Sequence, residues 1–241
     1  MMSRHFDPMQ LPYFFEENIP SEGNLYLGEG TSKHVAQVLR MQQDQLVQLT
    51  NGRGELFTAS IIEPNKNKTE VKILSKTLVP VPPRKISIAI SPIKNNSRFE
   101  WFLEKATELG VAEIIPLLCD RTEKTYVKME RMLKIISSAM VQSRQCWLPE
   151  VRVPIQFCDF ISQPFGGSKF IAHCANTNKS TLNEVVVSPV AALALIGPEG
   201  DFREHEIEEA IEKKFDPISL GETRLRTETA GIVASVLLIN K

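Results

Sequence analysis

Three prolines stand within four residues in the stretch LVPVPPRK, Leu78 to Lys85. Proline has no amide hydrogen and a fixed φ, so such a stretch neither continues a helix nor sits inside a central strand. It forces a break, and the hydrophobic period changes across it. Short β-like runs come before; strands and helices alternate after. The chain of 241 residues is long enough for two domains. The expected division is a small β-barrel over residues 9–78, a short stiff linker at 79–85 and an α/β domain over 86–241, with residues 1–8 as a leader without a structural role.

Ahead of the linker the strand candidates are residues 24–27, 45–51, 55–63 and 69–78, with the hairpin signal NGRG at Asn51 to Gly54. A helix is predicted over 32–41, with Val35, Val38 and Leu39 on one face. Spaced short strands with tight turns predict a small barrel. Beyond the linker, strands are predicted at 85–90, 111–118, 169–174, 190–197 and 217–220. Helices are predicted at 97–110, 127–145, 201–214 and 227–239. Ser97 with Glu100, and Asp201 with Glu204, have capping-box spacing; Thr227 is the candidate cap of the last helix and Gly110 a stop signal. This alternation predicts a parallel sheet with helices on both faces.

Composition removes several function classes. The formal charge of −1 gives no global sign of a polyanion partner, although a local patch can supply one. Cys119, Cys146, Cys158 and Cys174 form no CxxC pair and the four histidines are scattered, so no metal site is expected. Free cysteines fit a reducing compartment. No apolar run approaches membrane-spanning length and the N-terminus lacks a signal-peptide core, so the expectation is a cytoplasmic protein. There is no GxxxxGK[ST] and no GxGxxG with its distal acid.

Two loops carry the chemistry. LIGPEGDF, Leu195 to Phe202, ends an apolar run in a turn, with Pro198 at its second position and Gly200 at its fourth. SLGETRLRTETAG, Ser219 to Gly231, ends a second apolar run with Arg224, Arg226 and Glu228. Each alone is also an ordinary strand-to-helix turn. Together they leave strand ends on one edge of a parallel sheet, where ligands bind, and each sets glycine beside charge. His173, closing a third strand, reads from the residues alone as a hydrogen-bonded structural histidine. Arg121, Lys124, Lys128, Arg131, Lys134 and Arg144 lie on and around one helix, and Arg84, Lys85, Lys94 and Arg98 form a second basic group. Such groups are solvated faces or phosphate contacts.

Five segments carry a resemblance: HVAQVLRM (34–41) with NGRGELFTASI, KATELGVAEIIPL (105–117), QSRQCWLPEV (142–151), LIGPEGDF and LGETRLRTETA. Over nearly its whole length the chain resembles the RsmE-type 16S rRNA uridine-N3 methyltransferases of the SPOUT superfamily. The resemblance implies an α/β SPOUT methyltransferase domain, trefoil-knotted and built on a parallel sheet, preceded by a small PUA-like β-barrel that binds RNA. It further implies a homodimer, 16S rRNA of the small ribosomal subunit as partner, no metal, and S-adenosyl-L-methionine as cofactor. The cofactor residues it implies are Ala172 and His173; Leu195, Ile196, Gly197, Pro198, Glu199 and Gly200; and Leu220, Gly221, Leu225, Arg226, Thr229 and Ala230. From their place in the two loops, Arg226, Glu228 and Glu199 are the candidate catalytic residues, Arg226 to stabilise charge on the uracil oxygens and either carboxylate to accept the proton or to orient groups. Arg40, Lys105, Arg121, Lys124, Gln142, Ser143 and Arg144 are the implied RNA contacts. Two departures stand out: Pro12 and Tyr13 occupy positions where the family often has basic residues, and Arg144–Gln145 replaces a frequent Gly-Arg. The alternatives are a SPOUT enzyme acting on another RNA or position, and a non-catalytic dimeric RNA-binding protein.

Overall fold

The computed structural model describes residues 11–175, 179–182 and 184–241. The expected leader, residues 1–8, lies outside them. The chain divides into two compact units, one running to Val81 and taking in Met140–Trp147, the other comprising Pro82–Ala139 and Leu148–Lys241.

The first unit contains β1 (Tyr13–Phe15), β2 (Gly23–Tyr26), α1 (Glu29–Lys33), β3 (Leu46–Thr50), β4 (Glu55–Glu63) and β5 (Glu70–Leu78). They form one sheet in the order β1-β3-β4-β5-β2, antiparallel except for β1 beside β3. Among the described residues no ladder joins β2 back to β1. Alternation along the strands buries Val47, Leu49, Phe57, Ala59, Ile61, Val71 and Ile73 on a common core. Register shifts at Thr58/Ala59 and Ile61/Glu63 bend β4 against β5.

The helix expected over 32–41 is a single α-turn that passes into a π-helical turn, His34–Val38, closed by Leu39 N–H to His34 C=O at 2.9 Å. The extra residue in that turn rotates the following side chains off the core face. Val35 is buried, whereas Val38 and Leu39 are exposed. Met140–Trp147, which the sequence division leaves in the second domain, packs within the first unit. The Tyr13 hydroxyl donates to Gln145 C=O at 2.8 Å, and Arg144 donates to Leu11 C=O at 2.8 Å. Trp147 donates to Pro80 C=O at 3.1 Å.

The second unit contains β6 (Lys85–Ile90), α2 (Asn96–Leu109), β7 (Glu113–Leu118), α3 (Met129–Gln142), β8 (Glu150–Val151), β9 (Ile155–Gln156) and α4 (Phe157–Ile161). β10 (Ser168–Ala172), β11 (Ser180–Thr181), β12 (Ala191–Ile196), α5 (Glu204–Glu212), β13 (Asp216–Ser219) and α6 (Thr227–Ile239) complete it. Its sheet is entirely parallel, in the order β11-β13-β10-β12-β6-β7-β8, with β9 also on β7. Alternate residues of each strand enter opposite cores. Ile86, Ile88, Ile90, Ala192, Ala194 and Ile196 pack with α2, α3 and α6. Ala89, Ile115, Leu117, Leu193 and Leu195 pack with α4 and α5. Such a sheet is apolar on both faces, which is why its strands read as unbroken apolar runs.

The helix starts differ from expectation. Asn95, not Ser97, caps α2, its side chain accepting the Ser97 and Arg98 amides. α5 begins after Arg203, whose amide donates to Glu206 at 2.7 Å, so the Asp201/Glu204 pairing does not form. Thr227 is the first residue of α6 rather than its cap. Only at α2 does a second cap-type residue stand beside the expected one; α5 and α6 start after arginines whose side chains make no cap bond. α3 ends at Gln142, short of the expected 145, because Arg144 turns left-handed at φ 55°. Gly110 terminates α2 as expected, at φ 90°.

α2 and α6 approach closely at Gly231. A Cβ there would lie 2.6 Å from the Phe102 ring and 2.9 Å from Ile90 Cδ1. Gly231→Ala would gain about 1 kcal/mol of helix propensity, against roughly 1–3 kcal/mol for overpacking a core that contains the fully buried Phe102. The expected net result is a loss of up to about 2 kcal/mol, read as a lower urea midpoint with an unchanged slope; a raised midpoint would show that the core yields freely.

Candidate active site

β10 lies between β12 and β13 and is parallel to both, so all three strands end at the same edge. The residues that follow them are therefore brought together. Thr227 Oγ1 donates to Gly197 C=O at 3.1 Å, and Arg224 Nη2 to Glu199 C=O at 3.3 Å. Asp201 Oδ2 accepts the Cys174 amide at 2.8 Å. These bonds join the segment after β10, the loop from β12 to α5 and the loop from β13 to α6.

The β12–α5 turn closes from Pro198 C=O to the Asp201 N–H at 2.9 Å, one residue later than the sequence spacing suggests. Asp201 takes φ 64°, a left-handed conformation that aspartate tolerates better than most residues. Its second oxygen accepts the Phe202 amide at 2.9 Å. Behind the turn, Arg121 Nη1 donates to Gly200 C=O at 2.6 Å.

Two adjoining cavities of about 260 Å³ each open between these loops. Ala172, Cys174, Arg224, Leu225 and Ala230 line both. The first is completed by Ile196, Gly197, Pro198, Glu199, Asp201, Arg226, Thr227, Glu228 and, from α2, Arg98. His173, Lys179 and the Ile218–Thr223 segment complete the second. Together they fall in the ~300–1,000 Å³ range of small-molecule sites.

His173 is 6% exposed, and neither ring nitrogen has a hydrogen-bond partner among the described residues. The structure thus overturns the reading of a hydrogen-bonded structural histidine: the β10 end is occupied by a ring whose polar atoms are unused. Burial, followed by the Lys179 ammonium, lowers its pKa below the ordinary 6.5, with Asp201 opposing. The imidazole is neutral at pH 7. Glu228 is also buried, in the first turn of α6, with Arg98 Nε at 3.7 Å from its carboxylate. Arg226 precedes that turn, exposed, with no ion pair among the described residues.

Of the residues expected at a cofactor pocket, Ala172, His173, Ile196, Gly197, Pro198, Glu199, Leu220, Gly221, Leu225, Arg226 and Ala230 line the two cavities. Leu195 points into the α4/α5 core, and Gly200 and Thr229 line neither cavity. Arg98, Cys174, Asp201, Arg224 and Thr227 line the pocket without having been singled out for it. The expected RNA contacts are dispersed. Arg40 is exposed after the π-turn, and Gln142 is exposed at the end of α3. Ser143 donates to Met140 C=O, and Arg144 reaches Leu11 within the first unit. Lys105 pairs with Glu104 and Glu108, Lys124 bonds Asn96, and Arg121 is held on the Gly200 turn.

Two outcomes follow. Asp201→Ala loses two accepted amide bonds and keeps a strained φ; Asp201→Gly loses the bonds but relieves the strain. The glycine variant should therefore be the more stable by about 1 kcal/mol in urea melts, and equal midpoints would show that the turn is unstrained. For His173, the folded pKa is lowered, so between that value and 6.5 the unfolded chain binds more protons. Stability rises with pH through this window and is lost as pH falls below about 6.5. His173→Leu should flatten that dependence in thermal melts at pH 5 to 7.5; an unchanged slope would remove His173 as its source.

A model of the RNA methyltransferase domain matches residues 80–239, and one of the RNA methyltransferase PUA domain matches residues 27–74. Ribosomal RNA small subunit methyltransferase E of Synechocystis is 28% identical over 221 residues, covering 88% of this chain and 72% of the relative. The crystal structure of a probable rRNA-methyltransferase from Porphyromonas gingivalis matches with a TM-score of 0.90 at 36% identity, covering 95% of this chain and 98% of that one. Ribosomal RNA small subunit methyltransferase E of Neisseria gonorrhoeae, solved bound to S-adenosyl methionine, matches with a TM-score of 0.86 at 27% identity, covering 96% and 98%. The match thus runs through both units and includes the pocket edge, and the chain belongs to the RNA methyltransferase family, in the small-subunit methyltransferase E group.

Proposed function

We propose that the protein transfers a methyl group from S-adenosyl-L-methionine to N3 of a uridine in 16S rRNA of the small ribosomal subunit. The observation that carries this reading is the pocket itself: three loops at one sheet edge, joined by hydrogen bonds, around paired cavities. The residues present fit an adenosyl cofactor. Gly221, with nothing within 4 Å of where a Cβ would stand, lets a purine approach the chain closely, the His173 ring lines the second cavity with its nitrogens unpartnered among the described residues, and apolar Ile196, Leu220 and Leu225 can pack a ring. When bound, the cofactor supplies an electrophilic methyl on a sulfonium sulfur.

Uridine N3 carries a proton, so its methylation needs that proton removed and the charge left on the imide stabilised. Arg226, cationic and without an ion pair among the described residues, is suited to donate to a uracil carbonyl as charge develops there. Glu228 or Glu199 accepts the N3 proton, and both line the same cavity. Pairing hides N3, so the target must be unpaired or extruded, which favours a folded ribosomal substrate over a short duplex.

The first unit, matched by the PUA model, would contact RNA through Arg40, Gln142, Ser143 and Arg144, and the second through Lys105, Arg121 and Lys124. A trefoil knot at the tied loops, a homodimer and a cytoplasmic location belong to the same reading. Among the described residues no helix is long and apolar enough to cross a membrane, and no cluster of metal-binding side chains occurs.

The test is transfer of labelled methyl to small subunits from cells lacking the modification, followed by mapping of the modified base. Arg226→Ala should lower turnover by about 10²–10³ with the melting curve unchanged. Label appearing at a ribose, or turnover unaffected by the substitution, would contradict the mechanism. Calorimetric silence with the cofactor would favour an RNA-binding protein without catalysis.

A further inference from the structure

The larger-charged of the two cavities holds three guanidinium groups, Arg98, Arg224 and Arg226, and three carboxylates, Glu199, Asp201 and Glu228. Most of these are engaged. Asp201 accepts the Cys174 and Phe202 amides, and Arg224 donates to the Glu199 carbonyl. Arg98 pairs with Glu228 at 3.7 Å, with 42% of its own side chain exposed against 9% for Glu228. Of the three guanidinium groups, that of Arg226 alone makes no ion pair or hydrogen bond among the described residues.

The pairing could have been different. Arg226 stands two residues before Glu228 in the chain and lines the same cavity. A largely buried carboxylate is costly without a partner, so it recruits the nearest cation within reach. That cation comes instead from α2, some 130 positions away along the chain. Asn95 fixes the geometry: by accepting the Ser97 and Arg98 amides it starts α2 at the pocket mouth and sets Arg98 on its first turn.

We propose that Arg98 is a positioning residue: by holding Glu228 it keeps the Arg226 guanidinium available for the target base. The proposal rests on the reading of this cavity as the methyl-transfer site. Without Arg98, Glu228 draws Arg226 or Arg224 onto itself, and the donor intended for the uracil carbonyl is spent on an internal ion pair. Lysine at position 98 retains the charge, so it retains the effect. Glutamine retains the length without the charge and does not.

The experiment uses the full chain with Arg98→Ala, Arg98→Lys and Arg98→Gln. Three readouts are taken: methyl transfer to small subunits, calorimetry with S-adenosyl-L-methionine, and a crystal structure of the alanine or glutamine variant. The expected result is a fall in kcat of about tenfold or more for Ala and Gln, with the lysine variant near wild type. Cofactor Kd should stay within about threefold, since Arg98 sits at one wall only. In the crystal, a guanidinium from Arg226 or Arg224 should lie on Glu228. Wild-type kcat in the Ala and Gln variants would overturn the proposal. So would a structure in which Arg226 has not moved, or a folded lysine variant as slow as alanine. Failure of the wild-type protein to methylate small subunits would instead overturn the methyl-transfer reading, while the crystallographic position of Arg226 still decides the pairing.

Discussion

Every feature of the pocket depends on one placement: β10 lies between β12 and β13, parallel to both. Parallel strands end at the same edge, so segments far apart in the chain leave the sheet side by side. Once there, their backbones cannot all find helix or ladder partners, and side chains make up the difference. Asp201 serves the Cys174 amide and Thr227 serves the Gly197 carbonyl. The same bonds that satisfy the loops hold them apart, and the space between them is the cavity. The alternation of Ile196 toward one core and Leu195 toward the other decides which wall each residue can supply.

The site also departs from what stability alone would select. A non-glycine residue is held left-handed at Asp201, and His173 buries two polar nitrogens without partners among the described residues. Glu228 is buried beside an arginine at 3.7 Å, too long for a direct hydrogen bond. Such departures concentrate where a structure is prepared for a ligand. The surrounding sheet supports them, because its two apolar cores cover both faces and leave little freedom to relax.

Much of the frame was legible in the residues. β4 at 55–63, β6 at 85–90 and α6 at 227–239 coincide with the segments predicted from period and punctuation. Each is alternating or apolar along its length and bounded by glycine, proline or charge. Where the pattern was short it misled or was silent. β1 has three residues, YFF, and owes its strand conformation to pairing with β3. The segment 32–41 has helical spacing, yet a π-turn shifts Val38 and Leu39 outward. Caps were misplaced by two residues at α2, where asparagine and serine compete, and at α5, which starts after Arg203, a residue without cap preference.

The two glycine-bearing loops were visible as candidates because their composition conflicts with the apolar runs they terminate. That conflict is local, and sequence alone determines it: the strands, the polar turns and the break at Pro80 to Pro83 are properties of short stretches of chain. What joined Arg98 to Glu228, Cys174 to Asp201 and Thr227 to Gly197 is not local. Those pairs are separated by up to 130 positions, and no periodicity relates them. Only packing of the sheet and helices brings them within bonding distance, because the partner of a charge is set by distance in space and not by distance along the chain.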